Sequence, residues 1–510
     1  MAVRRLVLLL LTLALTAPLP EVHAAALTEA ARLSAIYDSI LDARFDRARE
    51  QLSTACPPAP REACLTLEVA ARWWEIVLDL DDRSRDAALQ SAAFDAIAAA
   101  DAWTRREPRR AESWFYLAGA YAPLVQLRVW RGQRLAAAHD GNRIRSALER
   151  ARALDPMLHD AQFGIGLYHY YADVAPAAAK MLRWLLLLPG GDRQLGLREM
   201  IEARQHGALL RGEADFQLHW LYLWYERQPR RALALLQGLQ ARHPSNPTFL
   251  ARVAEVQDEY FHDHPASAAA WRTLLARAEA RTVAAPELAA TRARLGLAVQ
   301  LDAMAETDRS VELLRRVVDQ APPRPVAAVA RAQYLLGRAY DRLGERGRAL
   351  EMYRSVLAVT TEGDTFDDLR ARARDALRTR PNATRAQAYR LSLEGWRALE
   401  HGDGSRGAAL LARARALAPD DLVIAYRFAR ARLAEGDVGT ARTELERVVQ
   451  TGIDVPAVVL AAAYLDYGTL LEHANDRSGA IAAYERARAI DGSDPRTHES
   501  AEVALKRLAR

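Results

Sequence analysis

The run most suggestive of metal chemistry is His262-Asp263-His264, with Glu259 about one turn upstream. Imidazole and carboxylate are donor types that bind zinc. On a helix two residues at this spacing diverge, and only in a loop ahead of Pro265 would the two histidines converge. The run therefore reads as a loop without metal, and neither a metal nor another cofactor is expected. Cys56 and Cys64 are the only cysteines, and Pro57, Pro58 and Pro60 lie between them. Neither has a nucleophile's setting, and no further ligands cluster nearby. In an exported chain two such close cysteines read as one disulfide. Closing so short a loop stabilises by about 2–3 kcal/mol and would pin a corner between two helical stretches.

Other catalytic signals are weak. Glu112-Ser113 and Glu499-Ser500 match the order in which a lytic transglycosylase carries its catalytic Glu before Ser. The first pair opens a repeat helix, however, and the second stands too close to Arg510 for a catalytic domain. Pro189-Gly190-Gly191-Asp192-Arg193 could offer backbone N–H groups to a phosphate. It lacks the Lys-Ser/Thr of a P-loop, and Asp192 would repel the anion; a turn followed by a helix cap is expected. G-x-S-x-G and H-E-x-x-H do not occur. No enzymatic activity is expected.

The elements around these residues are helical. Half of the 510 residues are hydrophobic, 26% are charged and 7% are aromatic. Ala, Leu, Arg and Glu dominate nearly every segment and form helices readily. Period-2 alternation of β-branched residues is almost absent, so the fold class is all-α. The net charge of +5 does not make a nucleic-acid surface. Arg and Glu alternate along the helices, as at Arg145, Glu149, Arg150 and Arg152, which is a solvated mixed-charge face.

The N-terminus resembles a secretory signal peptide. Arg4 and Arg5 precede an apolar stretch, Leu6 to Ala17, and Val22-His23-Ala24 supplies a cleavage site. Twelve apolar residues are too few to span a bilayer, which takes about 20. Cleavage after Ala24 and a periplasmic or envelope-associated location are expected.

Internal repetition sets the architecture. Trp114-x2-Leu117-Ala118-x2-Tyr121 opens one unit. Leu336-Gly337-x2-Tyr340, Gly344 and Ala349-x3-Tyr353 give both helices of another. Tyr464-x2-Tyr467-Gly468-x2-Leu471 with Ala480-x3-Tyr484-x2-Ala487 gives a third. Gly402 and Gly436 stand 34 residues apart. These patterns resemble the tetratricopeptide-repeat superfamily over most of 110–495. The resemblance implies a superhelical solenoid of helix-turn-helix repeats, because one hairpin cannot bury its apolar face alone. The expected organisation is a signal peptide (1–24), a divergent N-terminal helical region (25–108), degenerate repeats (109–325), regular repeats (326–494) and a capping helix (495–510).

Two insertions interrupt successive repeats, at 123–141 and 176–191. Each begins at a helix-breaking Pro, Pro123 or Pro176, and ends Gly-(Asn/Asp)-Arg, at Gly141-Asn142-Arg143 or Gly191-Asp192-Arg193. Their shared position puts Arg128, Trp130 and Arg131 on the same face as Arg183 and Trp184. The stretch from Lys180 to Leu188 is also similar to the matching stretch of the eukaryotic inclusion-body-clearance group of repeat proteins, and carries no activity across. Its apolar residues 177–188 could instead lie on lipid, giving a peripheral membrane or lipid-associated protein as the alternative function.

The superfamily resemblance implies a partner-binding face on each repeat's first helix. In this chain it would carry Phe163, Tyr170, Tyr171, Tyr334, Arg338, Arg342, Trp396, Tyr426 and Arg430. Aromatics and Arg anchor protein interfaces. The expected function is a non-catalytic protein-protein interaction scaffold or adaptor in the cell envelope, with a protein or peptide partner and no nucleic acid.

Overall fold

In the computed structural model, residues 27–175, 190–361, 363–452 and 455–509 are described. The signal-peptide expectation at 1–24, most of the second insertion with Arg183 and Trp184, and the 177–188 segment lie outside them.

Helices account for all regular structure among the described residues. In chain order they are α1 (Ala30–Leu41), α2 (Phe45–Ala55), α3 (Arg61–Val77), α4 (Asp86–Arg106), α5 (Ala111–Trp130), α6 (Arg134–Leu154), α7 (His159–Val174) and α8 (Arg193–His206). Next come α9 (Arg211–Trp224), α10 (Pro229–Arg242), α11 (Pro247–Phe261), α12 (His264–Glu279), α13 (Pro286–Ala303), α14 (Thr307–Gln320), α15 (Ala328–Arg342) and α16 (Arg346–Ala358). The last are α17 (Asp364–Arg378), α18 (Ala383–Glu400), α19 (Gly404–Leu417), α20 (Leu422–Ala434), α21 (Val438–Thr451), α22 (Ala457–His473), α23 (Arg477–Ala489) and α24 (Pro495–Leu508). Many start at a short polar side chain that accepts from a free backbone N–H, among them Asp192, Asn382, Asp403, Asp421, Asp437 and Asp476. Asp192 thus caps a helix as its sequence setting suggested.

Two compact units result. One takes the described residues up to Ile40 with Phe45–Trp73 and Asp86–Asp215; the other takes Leu41–Arg44, Trp74–Arg85 and the chain from Phe216. In the first unit a disulfide joins Cys56 and Cys64, with Cα atoms 6.4 Å apart, and pins the corner between α2 and α3. The first insertion departs from its expected form. Pro123 does not break the helix but lies buried inside α5, and Gly141 and Asn142 lie inside α6 rather than capping it. Leu124 and Leu127, on the continuing turn, are each 1% exposed. Their burial offsets the roughly 3 kcal/mol that an interior Pro costs. The extra sequence is spent on length: α5 and α6 have 20 and 21 residues, against 15 and 13 in α15 and α16.

In the second unit the repeat is written in small-large contacts. A Cβ on Gly337 would collide with the Tyr353 ring, one on Gly468 with Tyr484 and one on Gly395 with Leu411. In all three the large residue stands 16 positions after the glycine. Each glycine lets two antiparallel helices approach closely while the large partner fills the gap. The hydroxyl of Tyr353 donates to Asp341, and that of Tyr484 to Glu472, again at equal offsets.

The helix that follows α16 is not the next repeat's first helix. α17 packs Phe366, Leu369 and Ala373 onto the core of α15 and α16. A new row of hairpins, α18 to α23, then runs back along the turns of the earlier one. Gly344, between α15 and α16, stands against Ala386. Thr307, at the start of α14, bonds the Tyr389 hydroxyl at 2.9 Å. Gly492, between α23 and α24, stands against the His262 carbonyl between α11 and α12. The interval 326–494, expected as one regular array, therefore contains an extra helix and a change of direction. α24 closes the row by packing Ala501 and Ala504 against Tyr484 and Ala487.

Candidate protein-binding face

The residues expected on the first-helix face fall into three groups. Phe163, Tyr170 and Tyr426 are buried, with 7%, 0% and 8% exposure, so they pack rather than recognise. Tyr426 lies against Trp396, with ring centroids 6.1 Å apart and the planes tilted, and the neighbouring Asp466 pairs with Arg430. Burial raises the carboxyl pKa of Asp466 despite the Arg430 guanidinium beside it. Trp396 is further covered by Arg427. Arg342 pairs with Asp302 and lies over the Tyr389 ring at 4.9 Å, so it joins α15 to α18. Tyr334 is half-buried against Tyr353. The alternating pattern that suggested these side chains cannot separate a groove from a junction between rows, because both use the same helix face.

One of the expected residues remains available. Arg338 is exposed on α15, and no described residue pairs with it. Tyr171 is 38% exposed at the end of α7. On the first insertion, Arg128 pairs with Asp140 and Arg131 with Asp86, which fastens α5 to α6 and α4; Trp130 is half exposed.

A stronger surface feature lies on α9, outside the repeat pattern of the sequence. Trp220 and Trp224, one turn apart on α9, have ring centroids 4.2 Å apart. The Arg252 guanidinium, from α11, lies over the Trp220 ring, 4.1 Å from its centroid. Trp224 is 53% exposed and Tyr225 beside it 36%. The cation holds the inner ring in place, so the outer ring is a preorganised aromatic surface. The Trp pair was legible as an i, i+4 spacing; its support from α11 was not.

The His262-Asp263-His264 run is structural. His262 takes a left-handed conformation after α11, and Asp263 caps α12. His264 Nδ1 lies 2.9 Å from Gln300 Oε1 and 3.2 Å from Asp258 Oδ1. Of the Glu-Ser pairs, Glu112 accepts from the backbone and side chain of Thr28 and pairs with Arg110, which ties the start of α5 to the segment before α1.

Comparison with known proteins gives residues 331–359 as a match to the tetratricopeptide repeat family. That stretch includes Tyr334, Gly337, Arg338 and Tyr353, so the small-large contact described above lies within the matched repeat. No curated protein matches the chain. Among solved structures, a tetratricopeptide repeat protein from Parabacteroides merdae is 15% identical and covers 59% of this chain and 99% of its own, with a TM-score of 0.27. The tetratricopeptide domain of P58(IPK) is 14% identical over 87% of this chain and 98% of its own, TM-score 0.24. The Cut9–Hcn1 hetero-tetramer of the APC/C is 12% identical over 95% of this chain and 97% of its own, TM-score 0.23. Superpositions this loose carry no argument about a partner.

Proposed function

We propose that this member of the tetratricopeptide-repeat superfamily is an exported, non-catalytic scaffold or adaptor that holds a protein or peptide partner in the cell envelope. Proteins of this type generally act as interaction scaffolds. One observation carries the reading of where a partner is held: the Arg252–Trp220–Trp224 stack bridges α9 and α11 and leaves an aromatic face open. Residues of these types supply most hot spots in protein interfaces. Export is supported by the signal-like N-terminus and by the Cys56–Cys64 disulfide, since such bonds persist in oxidising compartments. The test is capture from envelope extract by the mature protein, compared with Trp224→Ala. Partners retained by the wild type and lost by a variant of unchanged melting temperature support the reading. Equal capture by both would sink it.

A further inference from the structure

The turn between α5 and α6 leaves its apolar side chains in solvent. Val129 and Trp130, the last residues of α5, are 59% and 50% exposed, and Leu135, the second residue of α6, is 73% exposed. Gly132 takes the left-handed conformation between them. The Gln133 N–H donates to the Arg128 carbonyl, and the Gly132 N–H to that of Val129. A helix stop of this kind commonly adds an apolar contact between its two outer positions. Here those positions are Arg128 and Gln133, so the motif itself covers none of the three apolar side chains.

The turn is nevertheless held in place. Arg131 donates to Asp86, on α4, through Nε at 2.6 Å and through Nη2 at 2.9 Å, and Arg128 pairs with Asp140 on α6. Val129, Trp130 and Leu135 are therefore presented on a fixed frame.

Charge sets this turn apart from most of its counterparts. In the turns at His262, Ala305, Gly344, Gly402, Gly436 and Asn475 the left-handed residue is followed by Asp or Glu. After Gly132 comes Gln133 and then Arg134, which is exposed and has no partner among the described residues. No Asp or Glu occurs between Glu112 and Asp140, and Asp86 and Asp140 are taken up by Arg131 and Arg128. The exposed apolar side chains thus stand in a positive field. A convex turn with so few side chains cannot supply the roughly 800 Å² per partner of a stable protein interface. A bilayer takes in separate apolar side chains without a matched surface, Trp settles at its headgroup level, and Arg is drawn to anionic headgroups.

We propose that the α5–α6 turn is a membrane-contact site, at which Val129, Trp130 and Leu135 enter the interface of an anionic bilayer and Arg134 faces its headgroups.

Flotation of the chain from Ala25 onward, which lacks the apolar stretch Leu6 to Ala17, tests the contact. The protein should float with vesicles rich in phosphatidylglycerol and stay behind with pure phosphatidylcholine. Trp130→Glu and Leu135→Glu should each weaken the association at least about tenfold, and Arg134→Gln about fivefold, with the melting midpoint of the wild type. Val503→Glu, at a comparably exposed site on α24, should leave flotation unchanged. Flotation that survives Trp130→Glu combined with Leu135→Glu, equal flotation with both lipids, or none at millimolar lipid overturns the proposal. So does loss of captured protein in these variants without lipid binding by the wild type, which would make the turn a protein contact.

Discussion

Arg427 is buried against the carbonyl oxygen of Ala305, 122 residues earlier in the chain. Its guanidinium donates to that oxygen at 2.6 Å and to Ser392 Oγ at 2.9 Å, and lies over the rings of Tyr389 and Trp396. Ala305 is the left-handed residue of the turn between α13 and α14, so this arginine joins the returning row of hairpins to the row it follows. Burial lowers its pKa. Arg427→Ala would strand a buried carbonyl and leave a cavity, at a cost of about 3 kcal/mol. Arg397→Ala, which breaks a half-buried pair with Asp308, should cost only about 1 kcal/mol. Urea unfolding of the two variants gives the order, and equal costs would mean that Arg427 is not the fastening.

The Gly337–Tyr353 contact predicts a second ranking. Adding a methyl at Gly337 drives it into a ring that is 1% exposed, so Gly337→Ala should cost about 1–3 kcal/mol. Gly347→Ala, in the facing helix α16, meets open space and should be neutral or stabilise by up to about 1 kcal/mol. Thermal midpoints that fell equally would remove the packing explanation.

These glycines also show why part of the fold could be read in the sequence and part could not. Gly344, Gly402 and Gly436 hold the left-handed turn between paired helices, and each was visible. The same turn is held by Arg227, His262 and Ala305, residues that carry little or no such signal, so these repeats within 109–325 read as degenerate. Pro123 misled because burial of the next turn outweighs a missing hydrogen bond. The return of α18 to α23 depends on contacts such as Arg427–Ala305, which no local pattern encodes. For the same reason Tyr426 and Trp396 read as a groove when they fill a junction.

His264 and Asp258 give a pH dependence. The hydrogen bond to Asp258 is the chief cause of the raised pKa of His264, and the same bond is the chief cause of the lowered pKa of Asp258. A raised histidine stabilises fully below its unfolded value of 6.5, and that stability is lost as pH rises through the folded pKa. A lowered aspartate stabilises fully above 3.8 and loses its contribution as pH falls through the folded pKa. The stability gap between the wild type and His264→Gln should therefore be widest at about pH 4–6 and should narrow above neutrality. Urea midpoints across that range decide it; a constant gap from about pH 5 to 8 would count against the pair.

The Cys56–Cys64 bond closes a loop with Cys separation 8, which in the chain-entropy model is worth about 2–3 kcal/mol. Thiol labelling of unfolded, non-reduced protein should find no free cysteine. Cys56→Ser with Cys64→Ser should lower stability by that amount without loss of the helical signal, because Leu52 in α2 and Leu67 in α3 are themselves buried. Two labelled thiols in the non-reduced protein would end this prediction.

The last prediction separates recognition from packing on the candidate face. Trp224 and Arg338 are exposed, and truncating either uncovers no core. Arg430, although partly exposed, pairs with the largely buried Asp466, so its loss leaves that carboxylate without its cation. Trp224→Ala and Arg338→Ala should therefore each weaken partner capture by about tenfold or more while leaving the thermal midpoint nearly unchanged. Arg430→Ala should do the reverse, lowering the midpoint while the dissociation constant measured on the folded fraction stays the same. Binding isotherms on the captured partner, paired with melting curves, read both quantities. If Trp224→Ala melts early, the stack with Trp220 and Arg252 is a structural prop; if it binds normally, the partner is held elsewhere on the chain.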